Sequence, residues 1–216
     1  MSTHGRKRVG GGATLAQATP SDTGMRSGRL EAFSDGVFAI IITIMVLELK
    51  VPHGTDWAAL SPLAPVLLSY VISFVYVGIY WNNHHHLFQA VERVSGSVLW
   101  ANLHLLFWLS LFPFVTTWMG ENHFSAETVA LYGVVLLMAG VAYSLLVRAL
   151  LRHHEQDSAL ARAIGRDWKG LASLALYAGG IAVSFVSARI AAVLYVAVAI
   201  MWLVPDRRIE KTIGHS

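Results

Sequence analysis

The chain predicts an all-α polytopic membrane protein with six transmembrane helices. Three observations carry that reading. Of 216 residues, 55% are hydrophobic and only 13% charged, which is too apolar for an ordinary soluble domain. Apolar segments recur along nearly all of the chain after residue 28, and a span needs roughly 20 such residues. Threading six spans with both ends on one side leaves only two of the sixteen Lys and Arg residues, Lys50 and Arg189, on the other. That asymmetry is the positive-inside pattern, so both termini read as cytoplasmic.

The elements follow in order. Residues 1–28 are polar and Gly-rich with a basic cluster, Arg6, Lys7 and Arg8. No apolar stretch follows that cluster, so it is not a signal peptide and reads as a flexible cytoplasmic tail. The first span covers residues 29–50. The second, 62–83, starts with Pro62 and Pro65. The third, 98–118, contains Pro113, which bends it near its end by removing a backbone donor. The fourth covers 126–148 and the fifth 168–188. The sixth, 190–205, is short and follows a tight break around Ser187–Arg189, so the last two spans form a hairpin. Residues 206–216 form a cytoplasmic C-terminal tail. There is no cysteine, which excludes disulfides and thiolate metal sites. The net charge is only +3, and no nucleic-acid partner or cofactor is expected.

The first span carries an acid, Asp35, about 9 Å from its cytoplasmic end. A lone charge at mid-bilayer costs about 2.5–3.5 kcal/mol on insertion scales, and less near the interface. Asp35 therefore needs a partner. At the same depth lie Asn82, Asn83, His84, His85 and His86 at the end of the second span, and Trp100, Asn102 and His104 at the start of the third. All can donate to a carboxylate, and Ser34 adds a hydroxyl. The pattern predicts a buried polar network joining the first three spans. A metal site is the competing reading of the three histidines. Consecutive positions point about 100° apart, so His84–His86 cannot converge on one ion.

Around the first helix, Phe33, Gly36, Ile40, Thr43, Ile44 and Leu47 fall near one line, and Asp35 falls about 140° away. Such a stripe most simply packs on lipid or on another helix. It lines a pore only if several copies surround an axis, where Ile40 and Leu47 make apolar rings and Thr43 a ring of hydroxyl oxygens. Arg29 lies on the same line and needs a carboxylate: Asp35 of its own or a neighbouring chain, or Asp206 or Glu210.

The run RLEAFSDGVFAIIITIMVLEL, with Arg29 four residues before Phe33-Ser34-Asp35, resembles the first-helix signature of the transmembrane protein 175 family of potassium channels. WNNHHHLF and NLHLLFWLSLFPFVTTWMGE are similar to segments of its bacterial members. The resemblance covers nearly all of residues 29–205. It implies a six-helix channel domain, a homotetramer in the cell (plasma) membrane, and a first helix that lines a central pore. By that resemblance Ile40 is the constriction, with Thr43 and Leu47 further along the ion path. By the same resemblance Phe33, Ser34 and Asp35 support the pore helix, with His84 or His85 and Asn102 as partners, and Arg29 belongs to the same structural polar network. The implied permeant is potassium, with other monovalent cations passing more weakly, and no covalent chemistry is performed. The chain has no TVGYG filter.

Two other functions compete. A small secondary transporter, proton-coupled through Asp35 and His84–His86, fits the intramembrane ionisable residues. No inverted repeat with broken helices is visible, which weighs against it. A membrane enzyme using Glu48, Glu121 and His123 at the outer face lacks catalytic spacing.

Overall fold

The computed structural model describes residues 25–89, 91, 93–152 and 168–203. The remaining parts of both tails and the loop after Arg152 lie outside the described residues, and so do Asp206 and Glu210.

Every long element is helical. Helix α1 runs Ser27–Leu47, so it begins two residues ahead of Arg29 and stops short of Lys50. Just before it, the short strand β1, Met25–Arg26, pairs antiparallel with β2, Arg93–Val94. This ties the start of α1 to the connection between the second and third spans. A 3₁₀ turn at Trp57–Leu63 holds Pro62 and is capped by the Asp56 carboxylate accepting from the Ala59 N–H. It leads into α2, Ala64–Gln89.

The third span is two helices, α3 at Gly96–Ser110 and α4 at Phe112–Glu121. The break falls at Leu111. Pro113 stands in the first turn of α4, where a missing N–H leaves no intrahelical acceptor unpaired. Helix α4 ends in a Schellman-type turn. The Phe124 N–H reaches the Met119 carbonyl and the His123 N–H reaches that of Gly120. His123 and Phe124 both adopt positive φ, 52° and 58°. Helix α5 covers Ala126–Leu151, α6 Trp168–Ser184 and α7 Ala188–Leu203.

Among the described residues, four stretches are long and apolar enough to cross a membrane: Ser27–Leu47, Trp57–Gln89, Gly96–Glu121 and Ala126–Leu151. Helices α6 and α7 are shorter, 17 and 16 residues. Helix α6, the fifth expected span, ends at Ser184, earlier than its expected limit at 188, because the chain turns at Phe185–Ser187. There the Val186 and Ser187 N–H groups both reach the Val183 carbonyl.

Helix α5 packs against α3, α4, α6 and α7, while α1 packs against α2, α3 and α4. Leu105, Leu109, Phe112, Leu136, Ala139 and Leu146 are fully enclosed between them. Small residues set the closest approaches. The Tyr195 side chain of α7 lies over Gly133 of α5 and Gly180 of α6, where a Cβ would meet its hydroxyl at 2.0 Å and its ring at 2.4 Å respectively. Polar groups in this core are satisfied locally. Thr116 donates to Ser73 at 2.6 Å, Ser73 meets the Tyr132 hydroxyl at 3.0 Å, and Tyr76 donates to the Tyr195 carbonyl. At the opposite end from the histidines, Lys50 pairs with Glu121. The adjacent carboxylate raises the pKa of the Lys50 ammonium.

Candidate functional site

Helix α1 has two unlike faces. Leu30, Ser34, Phe38, Ile41 and Met45 are buried. Their spacing of three or four residues keeps them on one side, packed toward the rest of the bundle. On the other side Arg29, Phe33, Gly36, Ile40, Thr43, Ile44 and Leu47 are all exposed. Ile40 is 57% exposed and Leu47 80%. No other part of the described chain covers this stripe.

Thr43 does not project a free hydrogen. Its hydroxyl donates to the Ile40 carbonyl at 2.9 Å. The oxygen's lone pairs remain available on the exposed face.

The buried face is fastened by a chain of hydrogen bonds. Asn102 Nδ2 donates to Ser34 Oγ at 2.9 Å, and Ser34 donates to the Leu30 carbonyl at 2.8 Å. The other end of that amide, Oδ1, lies 2.8 Å from His84 Nε2. Because Asn102 uses its N–H₂ on Ser34, Oδ1 accepts and His84 Nε2 is the donor. Ser34, His84 and Asn102 are all fully buried. His84 is packed against Phe38 and Phe88, with ring centroids 5.7 Å and 4.5 Å away. Its Nδ1 has no partner among the described residues. Three helices, α1, α2 and α3, are thereby joined through one asparagine.

Asp35 stands apart from that chain. Its partner is the indole of Trp81, whose Nε1 donates at 3.0 Å. None of the expected donors reaches it. Asn82 and His86 are exposed, Trp100 is 75% exposed, and His104 accepts from Trp108 Nε1 at 3.0 Å. His85 serves a different acid. Its Nδ1 meets Glu31 at 2.7 Å, its Nε2 meets Gln89 at 2.8 Å, and its ring stacks on Trp81 at 5.9 Å.

The expected polar network is thus two adjacent groups. One is Ser34, Asn102 and His84; the other is Asp35, Trp81, His85 and Glu31. Phe33 and Arg29 belong to neither: both are exposed, and Arg29 makes no ion pair among the described residues. The three consecutive histidines face three ways, as their helical spacing requires. Among the described residues no cluster of three or more metal-ligating side chains occurs. Glu48, Glu121 and His123 do not converge either, since Glu121 is committed to Lys50.

Trp81, Glu31 and Gln89 were missed from the sequence. Trp81 and Gln89 each lie four residues from His85, so all three occupy one side of α2. That spacing is the signal that identifies them.

Comparison with known proteins adds the following. The family model for the endosomal/lysosomal potassium channel TMEM175 matches residues 29–113. A potassium channel of Chryseobacterium sp. (strain P1-3) is 57% identical over 192 residues, covering 89% of this chain and all of that protein. The crystal structure of a lysosomal potassium-selective channel TMEM175 homolog from Chamaesiphon minutus aligns with a TM-score of 0.71 at 30% identity. That alignment covers 82% of this chain and 96% of the other. The endosomal/lysosomal proton channel TMEM175 of Gallus gallus is 31% identical over 167 residues, 69% of this chain and 33% of that longer protein.

Proposed function

The chain belongs to the TMEM175 family of potassium channels, and from that premise we infer that it is a potassium-favouring cation channel whose pore is formed by α1 helices of four subunits. It is a passive channel and not an enzyme. Residues 29–205 form the six-helix channel domain, flanked by cytoplasmic tails at 1–28 and 206–216, in the plasma membrane.

One observation supports the pore most directly. The face of α1 opposite its packed side is left open over its full length, and it carries Ile40, Thr43 and Leu47. Four such faces turned to a common axis place a ring of Ile40 side chains at the narrowest level. Thr43 oxygens follow about 4.5 Å further along, and Leu47 about 10.5 Å from Ile40. Apolar rings close a path by steric contact and dewetting. Potassium sheds its water more readily than sodium, so partial dehydration at Ile40 penalises sodium more.

The two polar groups brace α1 from behind. The Ser34–Asn102–His84 chain sets its rotation against α2 and α3, while Asp35–Trp81 and Glu31–His85 hold its cytoplasmic half to α2. Arg29 then pairs across the subunit boundary with Asp35 of a neighbouring copy, whose carboxylate has a second oxygen besides the one held by Trp81. Within one helix the six-residue offset puts Arg29 and Asp35 about 120° apart.

Purified protein in liposomes with an outward potassium gradient tests the reading. Fast electrogenic flux, unaffected by a pH difference and carried by a tetramer in mild detergent, is expected. A monomer, or flux that saturates and requires protons, overturns it.

A further inference from the structure

A basic edge stands where two of the spans begin. Strand β1 runs straight into α1, and only Ser95 separates β2 from α3. Since α1 and α3 both start there, the two-strand ladder lies at the membrane surface. Its register sets Arg26 directly opposite Arg93. Opposed side chains of an antiparallel pair share one face, with Cβ atoms about 4.5–5.5 Å apart. Successive residues of a strand point to opposite faces. Val94 is buried while Arg93 and Arg26 are exposed, so the arginine face is the outer one.

Two like charges so placed repel each other. Arg26 makes no ion pair among the described residues, and Glu31, the first acid of α1, is committed to His85. The first turns of α1 and α3 hold no acid, so two positive helix ends add to the charge. Ser95, the N-cap of α3, makes no side-chain bond to its helix and meets the Ser97 hydroxyl instead. A guanidinium has five N–H donors, so the contacts Arg93 makes elsewhere leave it donors to offer. There is also room beside the ladder. A Cβ on Gly28 or Gly96 would meet nothing within 4 Å.

An apolar strip begins next to this edge. Trp100, Leu103 and Phe107 are exposed, and their spacing puts them on one side of α3. From Gly96 to Phe107 the strip runs about 16 Å into the bilayer.

We propose that this edge binds an acidic phospholipid, its phosphate held between Arg26 and Arg93 and one acyl chain lying along Trp100, Leu103 and Phe107. Phosphate oxygens match the paired N–H groups of a guanidinium, and an indole suits the headgroup level. A zwitterionic lipid brings an ammonium group to a site that is already doubly positive. Free phosphate satisfies the arginines and leaves the strip uncovered. The proposal rests on α1 and α3 crossing the bilayer and not on conduction.

Phosphatidylglycerol is the probe, titrated in mixed micelles into the intact detergent-solubilised protein. It raises the thermal unfolding midpoint with saturation, and phosphatidylethanolamine and glycerol phosphate act at least about tenfold more weakly. Arg26→Gln and Arg93→Gln each weaken the apparent affinity about fivefold, and Trp100→Ala about threefold. Arg152→Gln, which removes the same charge from the exposed end of α5, leaves it unchanged. If Arg93→Gln fails to fold, the exposed Arg26 carries the test. Glycerol phosphate matching the lipid shows a free-phosphate site and overturns the proposal. An equal loss in Arg152→Gln and Arg26→Gln shows diffuse surface charge and overturns it too. So does unchanged affinity in Arg26→Gln, or in Trp100→Ala, which leaves that strip to another subunit. No ion flux enters the measurement, so its failure is separate from a failure of the channel reading.

Discussion

The indole nitrogen of Trp81 lies 3.0 Å from a carboxylate oxygen of Asp35, which makes a tryptophan of α2 the partner of the acid in α1. A hydrogen bond to an ionised group contributes about 1.5–3 kcal/mol when buried, and less here because Asp35 is only half-buried. Trp81→Phe keeps an aromatic ring beside His85 but removes the indole donor together with part of the stacking area. It is expected to lower stability by about 1 kcal/mol, read as a drop in the unfolding midpoint of the detergent-solubilised protein. An unchanged midpoint shows that water serves Asp35 equally well.

Ile40 is the proposed constriction. Ile40→Asn replaces an apolar ring with one that hydrates, which removes most of the dewetting barrier. Single-channel conductance is expected to rise several-fold and the preference for potassium over sodium to fall. Currents identical to the parent place the narrowest level elsewhere.

Arg29 and Asp35 are proposed to meet across subunits. Arg29→Gln and Asp35→Asn, singly and combined, form a double-mutant cycle on tetramer dissociation. Contact predicts a coupling of about 1 kcal/mol or more, whereas separated sites add to within roughly 0.5 kcal/mol.

Gly180 admits the Tyr195 ring so closely that a Cβ would stand 2.4 Å from Cε1. That ring is buried and cannot swing aside. Gly180→Ala is expected to destabilise by about 1–3 kcal/mol through overpacking. Combining it with Tyr195→Leu should cost less than the sum of the two single changes. Strict additivity in thermal unfolding contradicts the clash.

The helices themselves were legible because bilayer length and hydropathy dominate their energetics. The ends were less so, because they depend on hydrogen bonds that hydropathy does not weigh. The Val183 carbonyl collects two N–H groups and stops α6 at Ser184, and nothing in the apolar run around it marks that point. The open stripe on α1 followed from 100° rotation alone. The brace behind it was half readable. Ser34, Asn102 and His84 are joined as their depth suggested, yet Asp35 found Trp81. The Asn–His run indicates depth, whereas the side of α2 that each residue occupies decides its partner. The tyrosines around Gly133 and Gly180 gave no warning, since a glycine–tyrosine contact far apart in sequence has no local pattern.

In the proposed pore, the back-bond of Thr43 to the Ile40 carbonyl bears on the sign of the charge that passes. A hydroxyl with its hydrogen tied to its own helix would show such a lumen only lone pairs. A chloride ion arriving there finds nothing to donate to it, while a monovalent cation finds oxygen. Charge discrimination at that level then needs no fixed carboxylate, only an alcohol held in one orientation.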